Sequence, residues 1–180
     1  MIRLPAGPAF VRSLRTEDAA EIAAHANDRR VWMNLRDAFP HPYRLADAEA
    51  FIEGALAQSP PRRFAIEVDG HPVGGIGYTP HTDVERIGAE IGYWLGAAFW
   101  GRGIATAAVR ALSAHLFAAH AELRRLYAVP FAWNPASARV LEKAGYRLEG
   151  TLRQSAIKDG KVVDQWMYAL VRDDAAASNP

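Results

Sequence analysis

Cysteine is missing from all 180 residues. That excludes disulfides, thiolate metal sites and a cysteine nucleophile, and it fits a reducing cytosol. Charge of one sign is missing too: 21 Lys and Arg balance 20 Asp and Glu, for a net +1, and no dense basic run occurs. A dedicated nucleic-acid binder is therefore not expected. No apolar run is long enough to cross a bilayer, and "MIRLPAGPAF" lacks the apolar core of a secretory signal. The expectation is a cytoplasmic protein with no membrane partner. The six histidines show no metal spacing, since His115 and His120 would diverge around a helix, so no metal site is expected. No repeat or low-complexity linker divides the chain, and 50% hydrophobic residues suffice for one real core.

What is present alternates between two periods. "FVRSLR" (10–15) reads as a strand, and Thr16, Glu17 and Asp18 open an alanine-rich helix to about Asn27. The aromatic, proline-punctuated "DRRVWMNLRDAFPHPYRL" reads as a short helix plus a loop, and "ADAEAFIEGALAQ" returns to helical spacing. Two strands follow around Asp69-Gly70, a strong hairpin signal, and a third runs over "IGAEIGYWLG". Ile104, Ala108, Leu112 and Leu116 then step along a helix. "RRLYAVPFAW" reads as a buried strand in which Pro130 marks a bulge or an opening of the sheet. Asn134, Pro135 and Gly145 frame a short helix, and two last strands meet at Asp159-Gly160. The expected fold is α/β (α+β), one domain with a mixed, mostly antiparallel central sheet flanked by helices. Residues 1–8 are expected as an N-terminal arm, 9–172 as the domain and 173–180 as a fraying tail.

The chemistry concentrates in "FWGRGIATAAV". Gly costs roughly 1 kcal/mol against Ala inside a helix, so Gly101 and Gly103 belong to a loop that something approaches closely. A strand, a glycine loop and a helix start together aim backbone N–H groups and a positive helix end at an anion. Lys-Ser/Thr does not follow the glycines, which excludes a P-loop, and Thr106 fits the dinucleotide fingerprint poorly. A turn that needs glycine only for its dihedrals explains this stretch equally well.

Three longer stretches carry a resemblance. "AEIGYWLGAAFWGRGIATAAV", "NPASARVLEKAGYRLEGTLR" and "DRRVWMNLRDAFPHPY" are similar, in order and separation, to the strand, pyrophosphate loop, second motif and acceptor-side region of the GNAT superfamily. Within it, the RimJ/RimL-like branch is the nearest in pattern, and the match runs from about Phe10 to Arg172. One departure is Ala98, where many members carry Gln or Arg three residues before the first loop glycine.

The resemblance implies direct transfer of an acetyl group from acetyl-CoA to a primary amine: a protein N-terminus, a polyamine, an antibiotic or a small metabolite. It assigns acetyl-CoA contacts to the backbone around Trp94, Leu95 and Gly96. The pyrophosphate falls to Gly101, Arg102, Gly103, Ile104, Ala105 and Thr106, and the cofactor arm to Asn134. Asn134 is also a good plain N-cap. Glu90 matches the family's Ala-Glu-Ile base, although a carboxylate paired with an arginine across the sheet accounts for it equally. Ser137 stands where an acid for the leaving sulfur is expected. Trp32, Phe39 and Tyr43 are candidates for an acceptor wall or for core packing. A non-catalytic acyl-CoA-binding module is the alternative, against which Glu90 argues, and a homodimer is left open.

Overall fold

The computed structural model describes residues 2–177. Eight strands form one sheet: β1 (Arg3–Ala6), β2 (Ala9–Ser13), β3 (Arg63–Val68), β4 (His71–Pro80), β5 (Gly88–Leu95), β6 (Arg125–Ala128), β7 (Arg147–Lys158) and β8 (Lys161–Val171). Their order is β1-β2-β3-β4-β5-β6-β8-β7, antiparallel throughout except for β5 against β6. The described residues also form six α-helices: α1 (Ala19–Ala26), α2 (Arg29–Trp32), α3 (Leu45–Leu56), α4 (Ile104–Ala119), α5 (Pro135–Lys143) and α6 (Arg172–Ala177).

Local chemistry explains the hairpins. Asp69-Gly70 joins β3 to β4 with φ of 50° and 90°, and Asp159-Gly160 joins β7 to β8 with φ of 51° and 72°. Two successive positive φ values give the turn whose twist matches the flanking strands.

Two expectations about the ends are corrected. Residues 3–6 are not an arm but the edge strand β1, because Arg3 to Ala6 pair in register with Arg12 to Ala9. The expected tail begins instead as α6 over 172–177, and residues 178–180 lie outside the described residues.

The core lies on both faces of the sheet. Ile104, Val109, Leu112 and Leu116 of α4 pack on one face against Val11, Ile66 and Ile91. Ile22 of α1 and Ile52 of α3 cover the other, with Ala65 and Tyr43. One polar cluster is buried with them. The Arg12 guanidinium donates to both carboxylate oxygens of Asp18 (2.7 and 2.8 Å) and to Glu67, tying β2 and β3 to the start of α1.

The sheet splits between β5 and β6. Only Gly88–Glu90 pair with Arg125–Tyr127. Past Ala128 the chain turns to β8: Pro130 accepts from the Trp166 N–H (2.9 Å), and Phe131 bridges Gln165. Pro130, with no N–H to give, suits the departure. The stretch from Ile91 to Leu95 is thereby left with one free edge.

Candidate active site

The split opens a cavity of about 1060 Å³. Along β5, side chains alternate: Ile91 and Leu95 enter the core, while Glu90, Gly92 and Trp94 face the other way. Glu90, Trp94 and Leu95 line the cavity, as do Gly101, Arg102, Gly103, Ile104, Ala105, Thr106, Asn134 and Ser137. Gly96 does not. It is buried, its N–H donates to the Val73 carbonyl (2.8 Å), and a Cβ there would press on the His25 ring at 3.1 Å. Small size, not ligand contact, explains that glycine.

The glycine loop is tightly turned and open at once. Gly101 and Gly103 have φ of 74° and 76°, a conformation that side chains rarely adopt. A Cβ on either would also meet nothing within 4 Å, so the loop is open as well as tightly turned. The first N–H groups of α4, at Ile104, Ala105 and Thr106, have no acceptor within the helix and border this space. Trp100 fixes the approach, because its indole N–H donates to the Leu95 carbonyl (2.7 Å). Arg102 lies over the Phe99 ring.

Opposite this loop stands α5. Asn134 caps it by accepting from the Ser137 N–H (3.1 Å), so the plain N-cap role is real. The Ser137 hydroxyl lies 2.7 Å from the Tyr93 hydroxyl. Burial pushes the Tyr93 phenol well above its ordinary range, and it stays a protonated donor.

Glu90 occupies the junction of this cavity with a second one, of about 440 Å³, between β6, β8 and the end of β7. It has the ionic partner anticipated, but from a different place. Arg36, in the loop after α2, donates to Glu90, whereas no arginine forms an ion pair with it across the sheet among the described residues. The adjacent Asp37 accepts from Lys158 (2.6 Å), whose side chain is 1% exposed and lies 3.6 Å over the Trp32 ring. The β7–β8 tip thereby clasps the loop that carries Arg36, with Arg29 and Asp159 (2.7 Å) beside it. Tyr127, next to Glu90 in register, has its phenol raised by burial and by the Glu90 charge, and bonds His81 (2.8 Å).

Phe39 and Tyr43 do wall the main cavity, packed on each other, with Phe39 also against Trp94. Burial, with the Asp47 charge nearby, pushes the Tyr43 phenol up to about 12. Trp32 does not line it; the indole is covered by Lys158 and His41. Sequence reasoning missed Arg36, Asp37, Tyr93, Trp100 and Lys158. Tyr93, Trp100, Arg36 and Asp37 stand inside quoted stretches, the last two in an aperiodic one, whereas Lys158 lies in an exposed-looking strand outside them.

One cavity joins the uncapped start of α4 to a carboxylate, along a strand edge free to pair. The acetyltransferase (GNAT) domain matches residues 10–147, and the chain belongs to that family. Among curated relatives, an uncharacterized N-acetyltransferase p20 of Bacillus licheniformis is 29% identical over 92% of this chain and 94% of its own length. The ribosomal-protein-serine acetyltransferase of Escherichia coli is 39% identical over 85 residues, 47% of each chain. Among solved structures, Mycobacterium smegmatis RimJ in complex with CoA-disulfide superposes with a TM-score of 0.81 at 29% identity, covering 97% of this chain and 89% of its own. A RimL ribosomal L7/L12 alpha-N-protein acetyltransferase in complex with coenzyme A shares the fold, with a TM-score of 0.83, 22% identity and coverage of 96% and 99%. The chain is an N-acetyltransferase, and the alternative of a non-catalytic module is not supported.

Proposed function

We propose that this N-acetyltransferase draws its acetyl group from acetyl-CoA and places it on the α-amine at the N-terminus of a protein. The observation that carries the reading is the position of Glu90, in one continuous space with the α4 N-terminus and open on its other side to a second cavity. Similarity to RimJ and to a ribosomal-protein-serine acetyltransferase supports a protein acceptor.

Acetyl-CoA, when bound, supplies the activated acetyl thioester. The residues present fit it. Open space at Gly101 and Gly103 admits a pyrophosphate to the amides of Ile104 to Thr106, and Arg102 adds a charge. The free edge of β5 at Trp94 and Leu95 is suited to pantetheine amides, with Asn134 and Ser137 across the cleft. Glu90 takes the proton from the acceptor ammonium, which frees the amine lone pair to form the new amide bond. Ser137, hydrogen-bonded to Tyr93, gives a proton to the departing sulfur. Holding both reactants in one cleft supplies the entropic part of the acceleration.

The test is free-thiol release from acetyl-CoA with three acceptors: a peptide with a free N-terminus, the same peptide N-blocked but carrying a lysine, and a polyamine. Turnover with the first alone is expected. Turnover confined to the polyamine would overturn the protein-acceptor reading.

A further inference from the structure

The charges around Glu90 do not balance once an acceptor arrives. Two carboxylates line the main cavity, Glu90 and Asp47, and Asp47 is occupied in accepting from the Arg44 N–H (2.7 Å) at the start of α3. Asp37, in the second cavity, is held by Lys158. Glu90 faces two guanidinium groups. Arg36 bonds it directly, and Arg63, half-buried on the same wall, donates to Thr79 (3.2 Å) and to the Tyr78 carbonyl while sensing the Glu90 charge. The cations at the α4 and α5 end of the cavity stand near the phosphate-binding amides, so they do not answer for this end. An acceptor ammonium that settles on Glu90 therefore enters a pocket with two cations and one anion. It strips Arg36 of its one ion-pair partner among the described residues, and like charges left together destabilise the complex.

We infer that the acceptor brings the missing anion: a carboxylate side chain one residue behind the reacting α-amine, to which Arg36 moves as the amine takes its place on Glu90. This rests on the protein N-terminus reading and narrows it to chains with Asp or Glu in second position. Arg36 is built for such a move. Its side chain is 67% exposed against 22% for Glu90, it stands at the border of both cavities, and its loop is fixed from behind by Lys158 through Asp37. One residue of extended chain spans about 3.5 Å, within the sweep of an arginine side chain. Guanidinium is also the cation suited to passing between two carboxylates, because its planar fork pairs with each in two-point fashion.

The experiment compares three otherwise identical peptides, beginning Ser-Glu, Ser-Gln and Ser-Lys, by kcat/KM from thiol release at low salt. The Ser-Glu peptide should exceed Ser-Gln by about three- to tenfold, the range of a partly exposed ion pair, and Ser-Lys should be poorest. The preference should shrink at high salt. Arg36→Gln should erase it, Arg36→Lys should keep part of it, and Arg36→Glu should turn it toward Ser-Lys. Equal kcat/KM for the three peptides overturns the inference, and so does an Arg36→Gln enzyme that keeps the full preference. Failure of every peptide, with turnover of a small amine, instead removes the protein-acceptor reading itself.

Discussion

The phenolic oxygen of Tyr93, on β5, lies 2.7 Å from the hydroxyl oxygen of Ser137, on α5, across the two lips of the split sheet. Tyr93 also reaches the Ser137 carbonyl at 3.3 Å. A phenol kept protonated by burial can donate to the serine oxygen and leave the serine proton free for the cleft.

Tyr93→Phe should therefore slow transfer by about fivefold, the worth of one neutral hydrogen bond. The loss should be large with acetyl-CoA and small with an acetyl thioester of a more acidic thiol, which leaves without help from an acid. Steady-state rates with the two donors make the comparison. An equal loss with both would mean that Tyr93 only packs.

The glycine loop can be probed with a pair of near-isosteric residues. Asn and Asp both tolerate a left-handed backbone, so Gly103→Asn and Gly103→Asp carry similar strain at φ of 76°. Only the aspartate places a negative charge beside the α4 amides. Acetyl-CoA at 100 times its Kd should raise wild-type stability by about 2.7 kcal/mol. Most of that should survive in the Asn variant and be lost in the Asp variant. Thermal melts with and without acetyl-CoA decide it; two variants that respond alike would reduce the loop to a turn.

A third expectation concerns stability against acid. Burial raises the Glu67 carboxyl, but hydrogen bonds and charges from Arg12 and Arg3 outweigh it and hold the group below its ordinary 4.5. A carboxyl depressed on folding contributes stability at neutral pH, and that contribution drains away as the pH falls below about 4.5 through the folded value. Arg12→Met leaves Glu67 and Asp18 buried without their shared cation, at a cost of about 3–5 kcal/mol near pH 7. Urea titrations at pH 7 and pH 4 should show the gap to wild type narrowing at the lower pH. A gap that widens instead would reverse the sign of the argument.

Much of this architecture is legible in the sequence because its signals are local. Asp-Gly pairs at 69–70 and 159–160 demand positive φ, and the structure has it at all four residues. Pro130 signals a bulge or an opening of the sheet, and the structure has the opening, β5 and β6 parting just before it. The loop from Gly101 to Thr106 was readable since glycine spacing records backbone geometry directly. The acceptor side was not. Arg36 meets Glu90 across 54 residues of chain, and Lys158 meets Asp37 across 121. Neither pair leaves a periodicity or a spacing in the sequence. The exposed-looking pattern of β7 also hides that its last residue, Lys158, is almost fully buried under Trp32 and the Arg36 loop. Residues 3–6 form the edge strand β1, a position that accommodates Pro5.

Glu90 is proposed to accept the proton of the acceptor amine at the meeting point of the two cavities. Rates for wild type and Glu90→Gln, measured by thiol release with a saturating free-N-terminus peptide from pH 6 to about pH 9, test it most directly. With Glu90 as the base, kcat of the variant should be lower by about 100- to 10,000-fold at neutral pH. Part of that loss should return as the pH rises and free amine forms unaided, with acetyl-CoA affinity nearly unchanged. A Glu90→Gln enzyme with wild-type kcat across that range would contradict it.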